Sequence, residues 1–112
     1  MRKAVALLLA IGIVVTVAVP ALGSAPVKKV KVEDFKFSPK VLHIRRGTKV
    51  TWTWVAHSGI AHNVTVRRGP AKFHSRTQSS GSYSHVFRKK GTYKLICTIH
   101  VALGMKITVK VS

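Results

Sequence analysis

A thiol, an imidazole and a thioether lie close together near the C-terminus, in Cys97-Thr98-Ile99-His100-Val101-Ala102-Leu103-Gly104-Met105, at the spacing Cys-x2-His-x4-Met. A soft thiolate suits Cu(I), imidazole suits either oxidation state of copper, and a long thioether bond tunes the potential without closing the site. Such a donor set serves one-electron transfer rather than bond-making chemistry. It lacks a second imidazole, which must come from His43, His57, His62, His74 or His85. Cys97 is the single cysteine of the chain, so an internal disulfide is excluded. An unpaired cysteine in an exported protein is a liability, an intermolecular bridge or a ligand, and the His100 and Met105 spacing favours the ligand. The competing structural explanations are a buried core cysteine, a surface loop histidine at His100 and a core methionine at Met105.

The elements that must position these side chains have period two, the strand signature. Val30 and Val32, then Phe35 and Phe37, alternate with Lys31 and Lys36 until Ser38-Pro39-Lys40 breaks the run, and Leu42 and Ile44 resume it. Arg45-Arg46-Gly47-Thr48 is a turn. In Lys49–Val55, Val50, Trp52 and Trp54 share one face and threonines the other, as β-branched and aromatic residues do on a half-buried pleated surface. His57–Ala61 is a loop leading to His62, and Val64 and Val66 resume a strand. Arg67–Ser80 is polar and poorly periodic, a long connection with room for one helical turn. Tyr83, His85 and Phe87 alternate, Arg88-Lys89-Lys90-Gly91 turns, Tyr93, Leu95 and Cys97 share a face, and Ile107, Val109 and Val111 point inward from the last strand. Seven to eight short strands with turns between them predict an all-β Greek-key sandwich or barrel.

Two of these segments carry a family resemblance. Ala61-His62-Asn63-Val64, together with Gly91-Thr92-Tyr93-Lys94-Leu95-Ile96-Cys97-Thr98-Ile99-His100 and the following Gly104-Met105, resembles the copper loops of the cupredoxins, above all plastocyanin, halocyanin and their bacterial relatives. The likeness runs from about Val30 to Val111. It implies one type 1 copper site with His62, Cys97 and His100 in the trigonal plane and Met105 as axial ligand. His62 is chosen because the family places its first ligand histidine before Asn and a hydrophobic strand residue. The resemblance also implies that Asn63 and Thr98, each following a ligand, hydrogen-bond across the two loops. The alternative is that both merely satisfy turn backbone. The chain departs from the family pattern at Ile99, usually Pro, at Trp54, often Asn or Asp, and at Ile107, commonly Gly. Ile99 and Trp54 would make the rim of the site more apolar without removing a ligand.

Against 20 Lys and Arg the chain has two acidic residues, the adjacent Glu33 and Asp34, for a net charge of +18. Such a field speeds encounter with anionic partners and says nothing about fold. Specific nucleic-acid recognition is disfavoured because the cations are spread along the chain rather than gathered on a helix; acidic redox proteins, an anionic membrane surface and anionic polymers remain as partners. Residues 1–23 read as a signal peptide, with Arg2 and Lys3 before the apolar Ala4–Val19 and Pro20-Ala21-Leu22-Gly23 as the small-residue exit. Residues 24–112 form the copper-binding domain, and removing Arg2 and Lys3 leaves it at +16. The uncharged run Ala4–Val27 is also long enough to stay as a membrane anchor. Three functions compete: an exported electron carrier that is not an enzyme, periplasmic or extracellular; a copper sequestration or delivery protein; and a metal-free cationic module for anionic surfaces. Delivery proteins tend to expose clusters of Met or Cys, whereas the domain has one of each.

Overall fold

The computed structural model describes residues 25–112, so the leader lies outside the described residues. Eight strands form two four-stranded sheets: β1 (Val27–Glu33), β2 (Lys36–Ser38), β3 (Val41–Ile44), β4 (Thr48–Trp54), β5 (Thr65–Arg68), β6 (Ser82–Phe87), β7 (Gly91–Ile96) and β8 (Lys106–Val111). One sheet has the order β2-β1-β4-β6 and the other β3-β8-β7-β5. Pairing is antiparallel except between β1 and β4 and between β3 and β8. This is the all-β sandwich expected from the alternation.

The inward parity of each strand builds the core. Val30, Val32, Phe37, Val50, Trp52, Trp54 and Phe87 from one sheet meet Ile44, Val66, Tyr93, Leu95, Ile107, Val109 and Val111 from the other, all buried. Phe87 bridges the layers, edge-on to Tyr93 at 4.9 Å between ring centroids and 6.3 Å from Trp52. Burial of this kind is the main favourable contribution to folding.

Two expectations are corrected. The run Val30–Phe37 is two strands, not one. Its inward parity switches from even (Val30, Val32) to odd (Phe37), and the two-residue turn Asp34-Phe35 absorbs the change between the paired Glu33 and Lys36. Phe35 is therefore exposed, with the left-handed φ of 69°, which is uncommon for a residue with a bulky side chain. The long connection after β5 holds no helical turn. It runs back along the chain that carries His62: Val66 N–H donates to Phe73 O, Ser75 N–H to Val64 O and Gln78 N–H to His62 O.

The topology gives the sandwich two unlike poles. β4 and β7 both run toward one pole, which carries the loop 55–62 and Cys97. At the other pole meet the start of β1, the β3–β4 turn, the β6–β7 turn and the end of β8. There Lys49 N–H donates to Pro26 O, Arg46 N–H to Ser112 O and Gly47 N–H to Phe87 O, and the Tyr93 hydroxyl ties down the β6–β7 turn by donating to Lys89 O at 2.9 Å.

Candidate metal centre

Three segments that are remote in sequence converge at the first pole. β7 continues into Cys97, whose N–H donates to Met105 O at 3.1 Å, so the Cys97–Met105 loop closes on itself. Inside it Val101–Leu103 form a single 3-10 turn, ended by Gly104 at φ 86° with its N–H on Val101 O. A left-handed conformation there costs glycine little. His62 is pinned from the other side by a two-way backbone bridge to Gln78, 2.9 and 3.0 Å.

The result is a compact set of donors. His62 Nδ1 and His100 Nδ1 are 3.0 Å apart, and Cys97 Sγ lies 4.0 Å from the first and 3.6 Å from the second. His62, Cys97 and His100 form the one His/Cys/acid cluster of metal-binding geometry among the described residues. An ion about 2.0–2.1 Å from each nitrogen and about 2.3 Å from sulfur would separate nitrogen from sulfur by roughly 3.8 Å, which the 3.6 and 4.0 Å found bracket, while the two Nδ1 atoms at 3.0 Å would have to part slightly to admit it. Cys97 and His62 are buried, His100 is half-buried, and Met105 is fully buried beneath the loop. His43, His57, His74 and His85 stand outside the cluster. His85 instead stacks on Phe73 with ring centroids 3.5 Å apart, where burial, aided by the nearby Arg88, holds its pKa below the usual imidazole value.

The β1–β2 turn is the part that sequence reasoning missed. Asp34 Oδ1 lies 2.9 Å from His62 Nε2. A carboxylate at this distance requires the proton on Nε2, which in the neutral ring leaves the Nδ1 lone pair facing His100 Nδ1 and Cys97 Sγ, the tautomer that binding a metal through Nδ1 needs. The His62 hydrogen bond, followed by one from Ser58, holds the Asp34 carboxyl below the usual carboxylate range. Phe35 covers both imidazoles edge-on, 4.9 Å from His100 and 6.1 Å from His62 between centroids. The available signal was the position of the acids. One of only two acidic side chains in a strongly basic chain sits at a break in strand parity, and this carboxylate holds His62.

Asn63 joins the ligand loops as the resemblance implied. Its Oδ1 accepts from Thr98 N–H (3.0 Å) and the Thr65 hydroxyl (2.9 Å), and its Nδ2 donates to Thr98 Oγ1 (2.8 Å) and Thr77 Oγ1 (3.0 Å). Both loops are thereby held in one register before any metal binds. Ile99 lies on the rim as expected, 52% exposed, but Trp54 does not: at 6% it belongs to the core.

The family model for copper binding proteins of the plastocyanin/azurin family matches residues 25–112. The chain belongs to that family. It is 32% identical over 99 residues to amicyanin-alpha of Methylorubrum extorquens, covering 83% of this chain and 82% of that protein. It is 35% identical over 74 residues to halocyanin of Natronomonas pharaonis, covering 63% of this chain and 45% of that one. Among solved structures, the Cu(I) form of a single-residue mutant of amicyanin superposes with a TM-score of 0.65 at 27% identity, covering 82% of this chain and 88% of that one. A purple cupredoxin from Nitrosopumilus maritimus gives 0.63 at 27%, covering 75% and 98%. With the N, N, S donor set around a buried thiol, this membership makes the cofactor of the cupredoxin copper.

Proposed function

We propose that this cupredoxin is an exported single-electron carrier, not an enzyme, with His62, Cys97 and His100 as equatorial ligands and Met105 as the weak axial one. The observation that carries the reading is the convergence of two imidazole Nδ1 atoms on a buried thiol. Copper supplies the one-electron chemistry when bound. The protein's part is to hold the donors still: Asp34 fixes the His62 ring, Asn63 locks the two loops together, and the sandwich keeps water from Cys97. A frame that does not reorganise lets both oxidation states share nearly one geometry.

Electrons would pass at the half-buried His100, because the loops around it present exposed Phe35, Ile60, Ile99 and Leu103. The two ligand loops, 55–63 and 97–105, contain no Lys or Arg, so contact there is apolar and close. Exposed Lys36, Lys40 and Lys106 at the same end of the strands favour an acidic redox partner, with an association rate that falls as salt rises. Delivery of copper is the weaker reading, since fully buried Cys97 and Met105 are out of an acceptor's reach.

The test is the visible and electron-paramagnetic-resonance spectrum after Cu(II) addition, for the parent and for Cys97→Ser. An intense thiolate-to-copper band that disappears in the variant supports the carrier. A copper spectrum indifferent to the substitution rejects it.

A further inference from the structure

One dense group of cations lies away from the metal centre. The pole opposite the site gathers exposed Lys28, Arg45, Arg46, Arg88, Lys89 and Lys90, brought together by the Lys49–Pro26, Arg46–Ser112 and Gly47–Phe87 backbone bonds. No described carboxylate side chain neutralises them: Glu33 lies 4.0 Å from Lys36 and Asp34 holds His62, both at the β1–β2 turn near the metal. The polypeptide also enters the domain at this cationic pole, at Pro26, and the sequence before it contains an uncharged run from Ala4 to Ala25.

Charge alone would draw an acidic redox partner to the cationic pole, which is the wrong place for electron transfer. The seven residues of β4, at about 3.3 Å each, separate the poles by roughly 20 Å. Tunnelling falls exponentially with distance, so a redox centre docked there would be served poorly. An anionic surface that need not exchange electrons suits that pole better than a redox partner does.

We propose that the Lys28, Arg45–Arg46 and Arg88–Lys90 pole seats the domain on an anionic lipid bilayer, with the metal pole directed away from the membrane toward soluble partners. The geometry serves two situations alike. If the apolar leader stays in the bilayer, the chain leaves it beside the cations. If the leader is removed, the new N-terminus adds a further positive charge at the same pole. Clustered Lys and Arg at a membrane surface bind anionic headgroups additively, and the attraction decays within a Debye length. Docking also blocks the unproductive approach of acidic proteins to this pole.

The test uses residues 25–112, which the family model matches end to end and whose buried cluster runs from Val30 to Val111. Flotation with phosphatidylcholine vesicles is compared with flotation on vesicles that also contain phosphatidylglycerol, in metal-free protein, so that the result does not depend on the electron-transfer reading. Two triple variants remove the same charge from different places: R88Q/K89Q/K90Q at the pole, and R68Q/K94Q/K106Q on β5, β7 and β8. Far-ultraviolet circular dichroism checks that each is folded, and R45Q/R46Q serves as an independent pole variant. The expected result is binding to the anionic vesicles only, weakened on the order of tenfold or more by the pole triple, clearly less by the other triple, and abolished by high salt. Equal losses in the two triples, no binding by the parent, or displacement by polyphosphate at equal phosphate concentration would overturn the proposal, the last pointing to a soluble polyanion.

Discussion

The two poles of the sandwich are made by the same strands and do opposite electrostatic work. At the metal pole the ligand loops carry no Lys or Arg, both acidic residues sit on one turn, and large apolar side chains stand in solvent. At the other pole the turns are almost wholly cationic, and what holds them is backbone hydrogen bonding and one tyrosine hydroxyl. The difference shows how a chain with so large a net charge can still host a positive metal ion. A cation near the site would raise the energy of copper there, whereas a carboxylate on His62 lowers it. The densest group of cations and the donor set lie at opposite ends of the strands, and the strands set the separation.

This contrast can be broken or sharpened by substitution. Asn63→Ala should have the largest effect. It removes four hydrogen bonds at a residue that is 5% exposed, and at about 0.5–1.5 kcal/mol each the metal-free protein should lose about 2–6 kcal/mol in urea unfolding, with a broadened copper spectrum. An unchanged spectrum would mean that the loops are held by something else. Asp34→Asn comes next. Loss of the carboxylate on His62 should lower Cu(II) affinity by about 10–100-fold in a competition titration. Because the carboxylate favours the more charged ion, the reduction potential should rise, by about 59 mV for each tenfold selective loss of Cu(II) affinity. A lowered potential would contradict the assigned role of the Asp34–His62 bond.

Gly91→Ala probes the far pole as structure. Gly91 has φ 137°, and an added Cβ would stand 2.8 Å from Pro70 Cγ. A destabilisation of about 1–3 kcal/mol, with the copper spectrum and potential intact, would show that the poles are mechanically separate. The smallest effect is a pH dependence from His85 on the flank nearer the cationic pole. Its folded pKa lies below its unfolded value of 6.5, so the unfolded chain binds the proton more readily. Its contribution to stability is complete above about pH 6.5 and declines as the pH falls below that value. Thermal melts should show a small loss on acidification that shrinks in His85→Gln.

Much of this architecture was legible along the chain. Period-two alternation marked nearly every strand, because burial of one face of a sheet acts residue by residue. The Cys-x2-His-x4-Met spacing was legible because those candidate donors share one loop. The Asp34-Phe35 turn was hidden for a comparable reason: Phe35 and Phe37 continue an alternation, so a shift in parity read as one strand. Trp54 was placed on the rim by its position in the family pattern, but its inward parity beside Trp52 and Val50 decides its burial. The 67–80 connection has no periodicity to read, since it pairs with the His62 segment through isolated bridges rather than a ladder.

The sequence by itself determined the fold class, the donor types and the net charge, since these depend on local pattern, side-chain chemistry and composition. Tertiary structure alone decided that Asp34 meets His62 across 28 residues, that Phe35 covers two imidazoles, and that cations from separate segments share the pole farthest from the metal. Those facts depend on strand order and register, which bring together residues whose separation along the chain contains no distance information.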